Sequence, residues 1–228
     1  MRIKIPAILF VTLLCLNACS EKGDFDVAKA AYERKDYEAA LKEFKLLAED
    51  GNAEAQYYLG GLYFKQGTRS DYAKAYALSS QWYLKAAEQG HIAAQRQMGG
   101  HYTIGYGVRE DAVRAAYWYL KAAEQGDAMS QRWLGYMYMH GYPGVKRDVV
   151  AAYAFLNVAL SKRNSSDKEV DQIDAAQSLA QDDLNQLTRS MMSPEEHVAG
   201  QILTERMTSP GAVLSEVLAQ HKLPKNPD

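Results

Sequence analysis

The segment that decides the fold is Trp82-Tyr83-Leu84-Lys85-Ala86-Ala87-Glu88-Gln89-Gly90, which returns unchanged as Trp118-Tyr119-Leu120-Lys121-Ala122-Ala123-Glu124-Gln125-Gly126. The two copies are 36 residues apart, measured from Gly90 to Gly126. A period of this length is typical of stacked helix pairs, each of which buries its apolar face against its neighbours. The repeat therefore predicts an all-α solenoid.

Two weaker copies flank the identical segments and share their small and aromatic positions. The earlier copy runs through Tyr37, Ala40, Phe44, Ala48 and Gly51, and the later one through Asp148, Ala152, Phe155, Leu156 and Ala159. These copies extend the predicted solenoid in both directions.

The repeats resemble the Sel-one-like repeat, a relative of the tetratricopeptide repeat. Its pattern is roughly A-x-x-x-L-G-x-x-Y, then G-x-G-V-x-x-D, then A-x-x-W-Y-x-K-A-A-E-x-G. The resemblance covers about residues 24–161, and complete units begin near Ala53, His91 and Ala128. It implies a right-handed solenoid of antiparallel helix pairs over residues 25–163, with C-terminal capping helices.

Glycine and aspartate positions give the helix boundaries. A glycine just past a helix end closes the last turn in the left-handed region, which predicts helix ends before Gly51, Gly90 and Gly126. An aspartate before a helix accepts hydrogen bonds from free backbone amides, which predicts N-caps at Asp71, Asp111 and Asp148, and Asn52 and Asp127 can cap the first helices. Glycine inside a helix costs about 1 kcal/mol against alanine, so Gly60, Gly99 and Gly135 predict close helix crossings.

After Ser161 the pattern changes to a longer amphipathic helix and further helix starts. Its apolar stripe contains Val170, Ile173, Ala176, Ala180, Leu184 and Leu187. Helix starts are predicted at Ser166 with Glu169, at Ser193-Pro194-Glu195-Glu196 and at Ser209-Pro210. We expect residues 164–221 to form a helical cap, which repeat proteins need at an exposed end, and residues 222–228 to form a flexible tail.

The N-terminus is typical of an export signal. Arg2 and Lys4 precede an apolar run from Ile5 to Leu16, which is too short to span a bilayer well. The junction Leu16-Asn17-Ala18-Cys19 resembles the lipobox of bacterial lipoproteins, which implies a signal peptide over residues 1–18 and a linker over residues 19–24 that is lipidated at Cys19. The alternative is an ordinary signal peptide with Cys19 as an unused thiol. With Ser20 after the cysteine, the resemblance to enterobacterial-type lipoproteins implies the outer membrane rather than the inner one, facing the periplasm.

Charge and cysteine content exclude two classes. Removal of residues 1–18 takes away two basic and no acidic residues, which changes the net charge from −2 to −4. The absence of a basic cluster argues against nucleic-acid binding. Cys15 leaves with the signal peptide, so a single cysteine remains and no disulfide framework can form.

Sequence motifs for catalysis are missing, and we expect no enzyme activity, no metal and no cofactor. The chain contains no G-x-S-x-G, H-E-x-x-H, C-x-x-C or Walker sequence, and no two histidines stand four residues apart. Cysteine-rich relatives of the repeat family are linked to penicillin binding and β-lactam hydrolysis, but they carry a cysteine pair per repeat. Most aromatic residues occupy repeat positions, so we expect them, including Trp118, in the core rather than on a ligand platform.

The resemblance to tetratricopeptide-type solenoids implies a concave groove lined by the first helix of each pair, and we expect a partner to bind there. Counted from Leu59, Met98 and Leu134, the groove positions include Gly61 and Gly100 and the candidate binding residues Tyr57, Phe64, Arg96, Thr103, Arg132, Tyr136 and Met139. The arginines would grip acidic groups between apolar anchors, because arginine and aromatic residues are typical of binding hot spots. These positions should avoid the core, so Arg132→Glu with Tyr136→Ala should barely change stability. In the alternative reading, neighbouring helices bury them.

The function expected from these features is a membrane-anchored, periplasm-facing scaffold or adaptor that binds one or more envelope proteins. A peptidoglycan or glycan binder is the second possibility, and a hydrolase related to β-lactam-cleaving proteins the third. Capture of an envelope protein, sedimentation with sacculi and turnover lost with a single side chain would distinguish the three.

Overall fold

The computed structural model describes residues 23–66, 71–161, 170–209 and 214, with the side chains of 170–174 left out. These residues form ten α-helices and no strand, which confirms the predicted all-α class. The helices are α1 Phe25–Glu33, α2 Tyr37–Glu49, α3 Ala53–Gln66, α4 Tyr72–Glu88, α5 Ile92–Ile104, α6 Ala112–Glu124, α7 Ala128–His140, α8 Val149–Ser161, α9 Val170–Ser190 and α10 Pro194–Thr208.

The helices stack as consecutive pairs. In each of α1/α2, α3/α4, α5/α6 and α7/α8, the second helix packs against the first and also against the helix that follows it in the chain. After the last pair, α9 packs against both α7 and α8, and α10 packs against α8. The predicted solenoid is therefore present, and two further helices cover its last pair.

Most of the predicted caps are confirmed. Asp111 accepts hydrogen bonds from the amides of Val113 and Arg114 at 3.0 Å each. Caps of the same kind are made by Asn52, Asp127 and Asp148. Asp71 precedes α4, but its side chain makes no capping bond. At α10 the Ser193 hydroxyl and the Glu196 carboxylate bond reciprocally to backbone amides. The predicted box at Ser166, the loop at 67–70 and the start at Pro210 lie outside the described residues.

Glycines inside the first helices make room for side chains of the second helices. A Cβ on Gly99 would lie 2.5 Å from Cδ1 of Tyr119, and a Cβ on Gly60 would lie 2.7 Å from Cδ1 of Tyr83. In the third complete repeat, a Cβ on Gly135 would lie 2.7 Å from Cγ of Leu156. The expected close crossings are thus confirmed.

The tyrosine, and not the tryptophan, fills the crossing, which corrects the expectation for Trp118. Tyr119 is 3% exposed, whereas Trp118 is only half-buried. Consecutive side chains point in directions about 100° apart around the helix axis, so only one of Trp118 and Tyr119 can face Gly99.

Among the described residues, two hydrophobic clusters make up the core. The smaller cluster joins α1, α2 and α3 around Phe44 and Leu59. The larger cluster extends from α4 to α10 and includes Leu156. The helix α9 contributes the predicted stripe residues Ala176, Ala180, Leu184 and Leu187, all of which are buried, while the side chains of Val170 and Ile173 lie outside the described residues. Because α9 and α10 join this cluster, the apolar side of the last pair is covered.

Candidate protein-binding groove

The predicted groove residues occupy one stripe on each first helix. We call the positions Tyr57, Gly61 and Phe64 on α3, Arg96, Gly100 and Thr103 on α5, and Arg132, Tyr136 and Met139 on α7 the inner stripe. Spacings of four and three residues place the members of each triplet on one side of their helix. The structure shows which of these positions are open and which are filled.

The two arginines are paired within the chain. Arg96 forms an ion pair with Asp127, the N-cap residue of α7, whose side chain is 9% exposed. Arg132 Nε lies 2.9 Å from Oδ2 of Asp183 on α9, and both side chains are 12% exposed. Each guanidinium therefore joins its own helix to a following one. The expectation that both arginines are available to grip a partner's carboxylates is wrong, because carboxylates of this chain already hold them.

The C-terminal end of the stripe is filled in every repeat. Met139 is fully buried, so its assignment to an open groove wall is wrong. Phe64 packs against the rings of Tyr76, His101 and Tyr106, with centroid distances of 5.1, 5.5 and 5.5 Å.

The hydroxyl of Thr103 is also used within the chain. It donates to the carbonyl of Gly99 at 2.8 Å, and its side chain hydrogen-bonds to Tyr119. Neither Phe64 nor Thr103 therefore offers a free group to a ligand.

Tyr57 is half-buried at the start of the stripe. Its ring stacks on His91 at 4.7 Å, and burial raises the pKa of its hydroxyl. His91 Nδ1 accepts a hydrogen bond from the amide of Ala94, so Nε2 carries the proton that it shares with Glu54 at 3.0 Å. The face of Tyr57 is thus covered by a ring that is itself fixed at both nitrogens.

Gly61 and Gly100 are the open positions of the stripe. A Cβ on Gly61 would meet only the Tyr83 hydroxyl at 3.4 Å, and a Cβ on Gly100 only the Tyr119 hydroxyl at 3.7 Å. Tyr136 occupies the equivalent position in the third complete repeat, where it packs on Trp133 and His140. The stripe therefore has an open gap at Gly61 and at Gly100, each of which we call a notch, while Tyr136 fills the equivalent position in the third repeat.

Sequence reasoning missed a series of glutamines whose side chains link successive helices by hydrogen bonds, which we call the glutamine ladder. Gln56, Gln95 and Gln131 each donate to a backbone carbonyl of the preceding helix at 3.1 Å. Gln89 and Gln125 donate in turn to the side-chain oxygens of Gln56 and Gln95 at 2.8 Å. The signal was present in the sequence, because each of the first three glutamines stands three residues before Leu59, Met98 or Leu134.

A serine–histidine contact in the structure does not form an open catalytic pair. His101 Nδ1 lies 2.7 Å from Ser80 Oγ, and both residues are 3% exposed. Ser80 donates its proton to the carbonyl of Tyr106 at 2.6 Å, so the histidine must be the donor to Ser80. Burial lowers the pKa of His101 to about 4. This arrangement joins α4 to α5 and leaves the serine without a base.

A polar cleft lies at the loop that joins α5 to α6. It has a volume of about 690 Å³ and is lined by charged residues of both signs, among them Arg109, Glu110, Asp111 and Arg114. Arg114 Nε lies 3.6 Å from Asp111 Oδ2, and Asp111 caps α6. Asp111 and Arg114 therefore have a structural role, because they stabilise the start of α6 at the edge of the cleft.

The described part of the chain contains neither a metal-binding cluster nor a helix suited to cross a membrane. No group of three or more histidine, cysteine, aspartate or glutamate residues there could hold a metal ion. None of the helices in the same residues is both long and apolar enough to cross a membrane. Cys19 and the predicted signal peptide lie outside the described residues.

Comparison with known proteins identifies the repeats. The family model for the Sel1 repeat matches residues 53–91, 92–127 and 128–163. These boundaries agree with the units expected to begin near Ala53, His91 and Ala128. No curated protein is significantly similar to the chain.

Two solved structures have similar folds. A Sel1 repeat protein from Oxalobacter formigenes has a TM-score of 0.56 and 22% identity, over 90% of this chain and 86% of that one. The protein c5321, a protective antigen present in uropathogenic Escherichia coli strains, has a TM-score of 0.50 and 26% identity over 83% of this chain. The chain spans only 44% of the length of c5321.

Proposed function

Because residues 53–163 consist of Sel1 repeats, we propose that this protein is a membrane-anchored scaffold that faces the periplasm and binds an envelope protein through its inner stripe. The observation that carries the proposal is the notched floor at Gly61 and Gly100, where the stripe is open while its other positions are filled. Sel1 repeats generally mediate contacts between proteins, which supports the choice of a protein partner.

The rigidity of the stripe supports a binding role. Arg96 ties α5 to the start of α7 and Arg132 ties α7 to α9, and the glutamine ladder adds hydrogen bonds between successive repeats. A surface that is ordered before a partner arrives loses less conformational entropy on binding. The inner stripe is therefore preorganised for a partner.

The anchor is proposed from the N-terminal sequence. The Leu16-Asn17-Ala18-Cys19 junction would place a lipid on Cys19, and Ser20 favours the outer membrane. The first described helix begins at Phe25, six residues after Cys19. Such a short linker would hold the solenoid close to the membrane surface.

Site-specific photocrosslinking in living cells tests the binding face. A photoreactive phenylalanine replaces Tyr136, which is half-buried beside the open part of the stripe, and in a control replaces Gln81, which is exposed on α4. We expect a discrete crosslinked protein from position 136 and none from position 81. Crosslinks from position 81 alone would place the interaction on another surface and refute the proposal.

A further inference from the structure

The hydroxyl of Tyr83 lies beneath the Gly61 notch without a hydrogen-bond partner among the described residues. Tyr83 is 5% exposed, so its side chain is buried almost completely. Its hydroxyl lies 3.4 Å from the position that a Cβ on Gly61 would take, and apart from the chain neighbours and helix backbone of Gly61, no other described atom comes within 4 Å of that position. Burial raises the pKa of this tyrosine, and no hydrogen bond opposes the shift. The hydroxyl is thus a protonated donor that points into an open notch.

The neighbouring repeat shows why this donor is unused. The Tyr119 hydroxyl occupies the same place beneath Gly100 and hydrogen-bonds to Thr103. Because Thr103 gives its own proton to the carbonyl of Gly99, the proton in that bond comes from Tyr119. In the first complete repeat Phe64 stands where Thr103 stands in the second, and a phenyl ring cannot accept the proton of Tyr83.

We propose, resting on the proposed scaffold function, that the Gly61 notch binds an extended peptide segment of the partner and that Tyr83 donates a hydrogen bond to one of its backbone carbonyls. Glycine allows another backbone to approach closely because it has no side chain. The carbonyls inside a helix are bonded within that helix, whereas those of an extended chain remain available to a recessed donor.

The ring contacts of the stripe favour a peptide over a glycan. Sugars stack on open aromatic faces, but the face of Tyr57 is covered by His91 and Phe64 is packed against three rings. The notch therefore offers a recessed donor and room for a backbone, and it offers no free aromatic platform.

Two pairs of variants separate binding from folding. Tyr83→Phe removes the unpartnered hydroxyl and keeps the ring, while Tyr119→Phe removes a hydroxyl that is bonded within the chain. Gly61→Ala fills the notch with a methyl group that the fold accommodates, whereas Gly60→Ala would place a methyl group 2.7 Å from the ring of Tyr83. Only Tyr83→Phe and Gly61→Ala are expected to affect binding without lowering the melting temperature.

The probe is a phage-displayed library of random dodecapeptides, selected on the full mature protein. Selected peptides are measured by fluorescence anisotropy, and each is remade with single ester bonds, which weaken the adjacent carbonyl as an acceptor. Tyr83→Phe should raise Kd about 3- to 10-fold, the value of one neutral hydrogen bond, and Gly61→Ala should raise it more than about 10-fold. The Kd of Tyr119→Phe should stay within about twofold of the wild-type value, because the Tyr119 hydroxyl already donates its hydrogen bond within the chain. An ester at one position of the peptide should weaken its binding to the wild-type protein. The same ester should not weaken its binding to the Tyr83→Phe variant any further, because the hydrogen bond is already absent there.

Three results would overturn the inference. The first is a selection that yields no peptide. The second is a set of peptides that bind Tyr83→Phe and Gly61→Ala as tightly as they bind the wild type. The third is a protein that binds soluble peptidoglycan fragments but no peptide, and that loses the fragments in the Gly61→Ala variant. Crosslinking from position 136 would still support the scaffold in each case, so failure of this inference is distinguishable from failure of the proposed function.

Discussion

Tyr119 crosses α5 directly over Gly99, so closely that a Cβ on Gly99 would fall 2.5 Å from two atoms of its ring. The adjacent Gly100 has no such neighbour, and the nearest atom to its Cβ position is the Tyr119 hydroxyl at 3.7 Å. Two consecutive glycines of one helix therefore have opposite reasons to be glycine. Gly99 is required by packing inside the protein, while Gly100 leaves space on its surface.

Alanine substitutions at these two positions should have opposite effects on stability. Gly99→Ala should destabilise the protein by about 1–3 kcal/mol, because the methyl group overpacks the helix crossing. Gly100→Ala should stabilise it by up to about 1 kcal/mol, because alanine favours the helix and the added methyl group makes only an ordinary contact. Urea unfolding of both variants measures the difference. Equal changes of the same sign would contradict the assignment of Gly99 to the crossing.

The ion pair between Arg132 and Asp183 should be strongly coupled to folding. Both side chains are 12% exposed, so Arg132→Ala leaves a carboxylate buried without a counter-charge, which costs about 3–5 kcal/mol. The pair Lys45 and Glu49 provides the control, because its side chains are 53% and 55% exposed and loss of such a pair costs at most about 1 kcal/mol. Thermal unfolding of Arg132→Ala and Lys45→Ala compares the two.

This pair also corrects the expected behaviour of Arg132→Glu with Tyr136→Ala. Charge reversal would place two carboxylates together where α9 packs on α7, so the double variant should unfold at a much lower temperature than the wild type. A loss of partner in this variant would not distinguish binding from folding. If Arg132→Ala is as stable as Lys45→Ala, the ion pair has no role in holding α9.

The histidine at position 101 should make stability depend on pH. Its pKa is lowered to about 4 by burial, whereas an unfolded histidine titrates near 6.5. Between these values the unfolded chain binds a proton that the folded chain does not, so stability is complete above about pH 6.5 and falls as the pH decreases towards 4. The full loss is on the order of 3 kcal/mol.

A variant isolates this contribution from that of the carboxylates. His101→Gln removes the titrating group, so its free energy of unfolding should change less between pH 7 and pH 4 than that of the wild type. Urea unfolding at several pH values gives both curves. Parallel curves would mean that His101 does not contribute, in conflict with its burial against Phe64, Tyr83 and Ser80.

The repeat elements were predictable because local rules determine them. The identical segments ending at Gly90 and Gly126 gave the period, and Asp111 and Asp127 cap helices as their positions indicate. The glycines at Gly61 and Gly100 could also be assigned to the groove from the sequence, but the tyrosine hydroxyls that face them could not. That Tyr119 rather than Trp118 fills the crossing depends on helix rotation, which a period alone does not specify.

The contacts of the inner stripe could not be predicted, because they depend on groups that are distant in sequence. Arg132 meets Asp183 only because α9 turns back onto α7, and no repeat pattern extends to that helix. Arg96 meets Asp127, which caps α7 with one carboxylate oxygen, as its position predicts, and binds Arg96 with the other. Equivalent positions in a repeat thus need not have equivalent exposure.

The proposed anchor makes a prediction for protein localisation in cells. Cys19→Ala should leave the chain unprocessed or release it as soluble protein, because no acyl chain can then be attached. Ser20→Asp keeps the lipid but should move the protein to the inner membrane, as the resemblance to enterobacterial-type lipoproteins implies. Membrane fractionation and intact mass measure both effects. A Cys19→Ala protein that stays with the outer membrane after a high-salt wash, with the same lipid mass as the wild type, would refute the anchor.

The glutamine ladder ends at an unsatisfied group, which offers a stabilising substitution. Gln131 Oε1 is buried without a hydrogen-bond partner among the described residues, while its counterparts in Gln56 and Gln95 accept from Gln89 and Gln125. Ser161 stands one period after Gln125 and is exposed at the end of α8, so Ser161→Gln can supply the missing donor. We expect a gain of about 1 kcal/mol in the free energy of unfolding, the usual net value of a buried hydrogen bond. Ser161→Glu has the same shape without the donor and should show no gain. Equal stability of these two variants would mean that the ladder cannot be extended in this way.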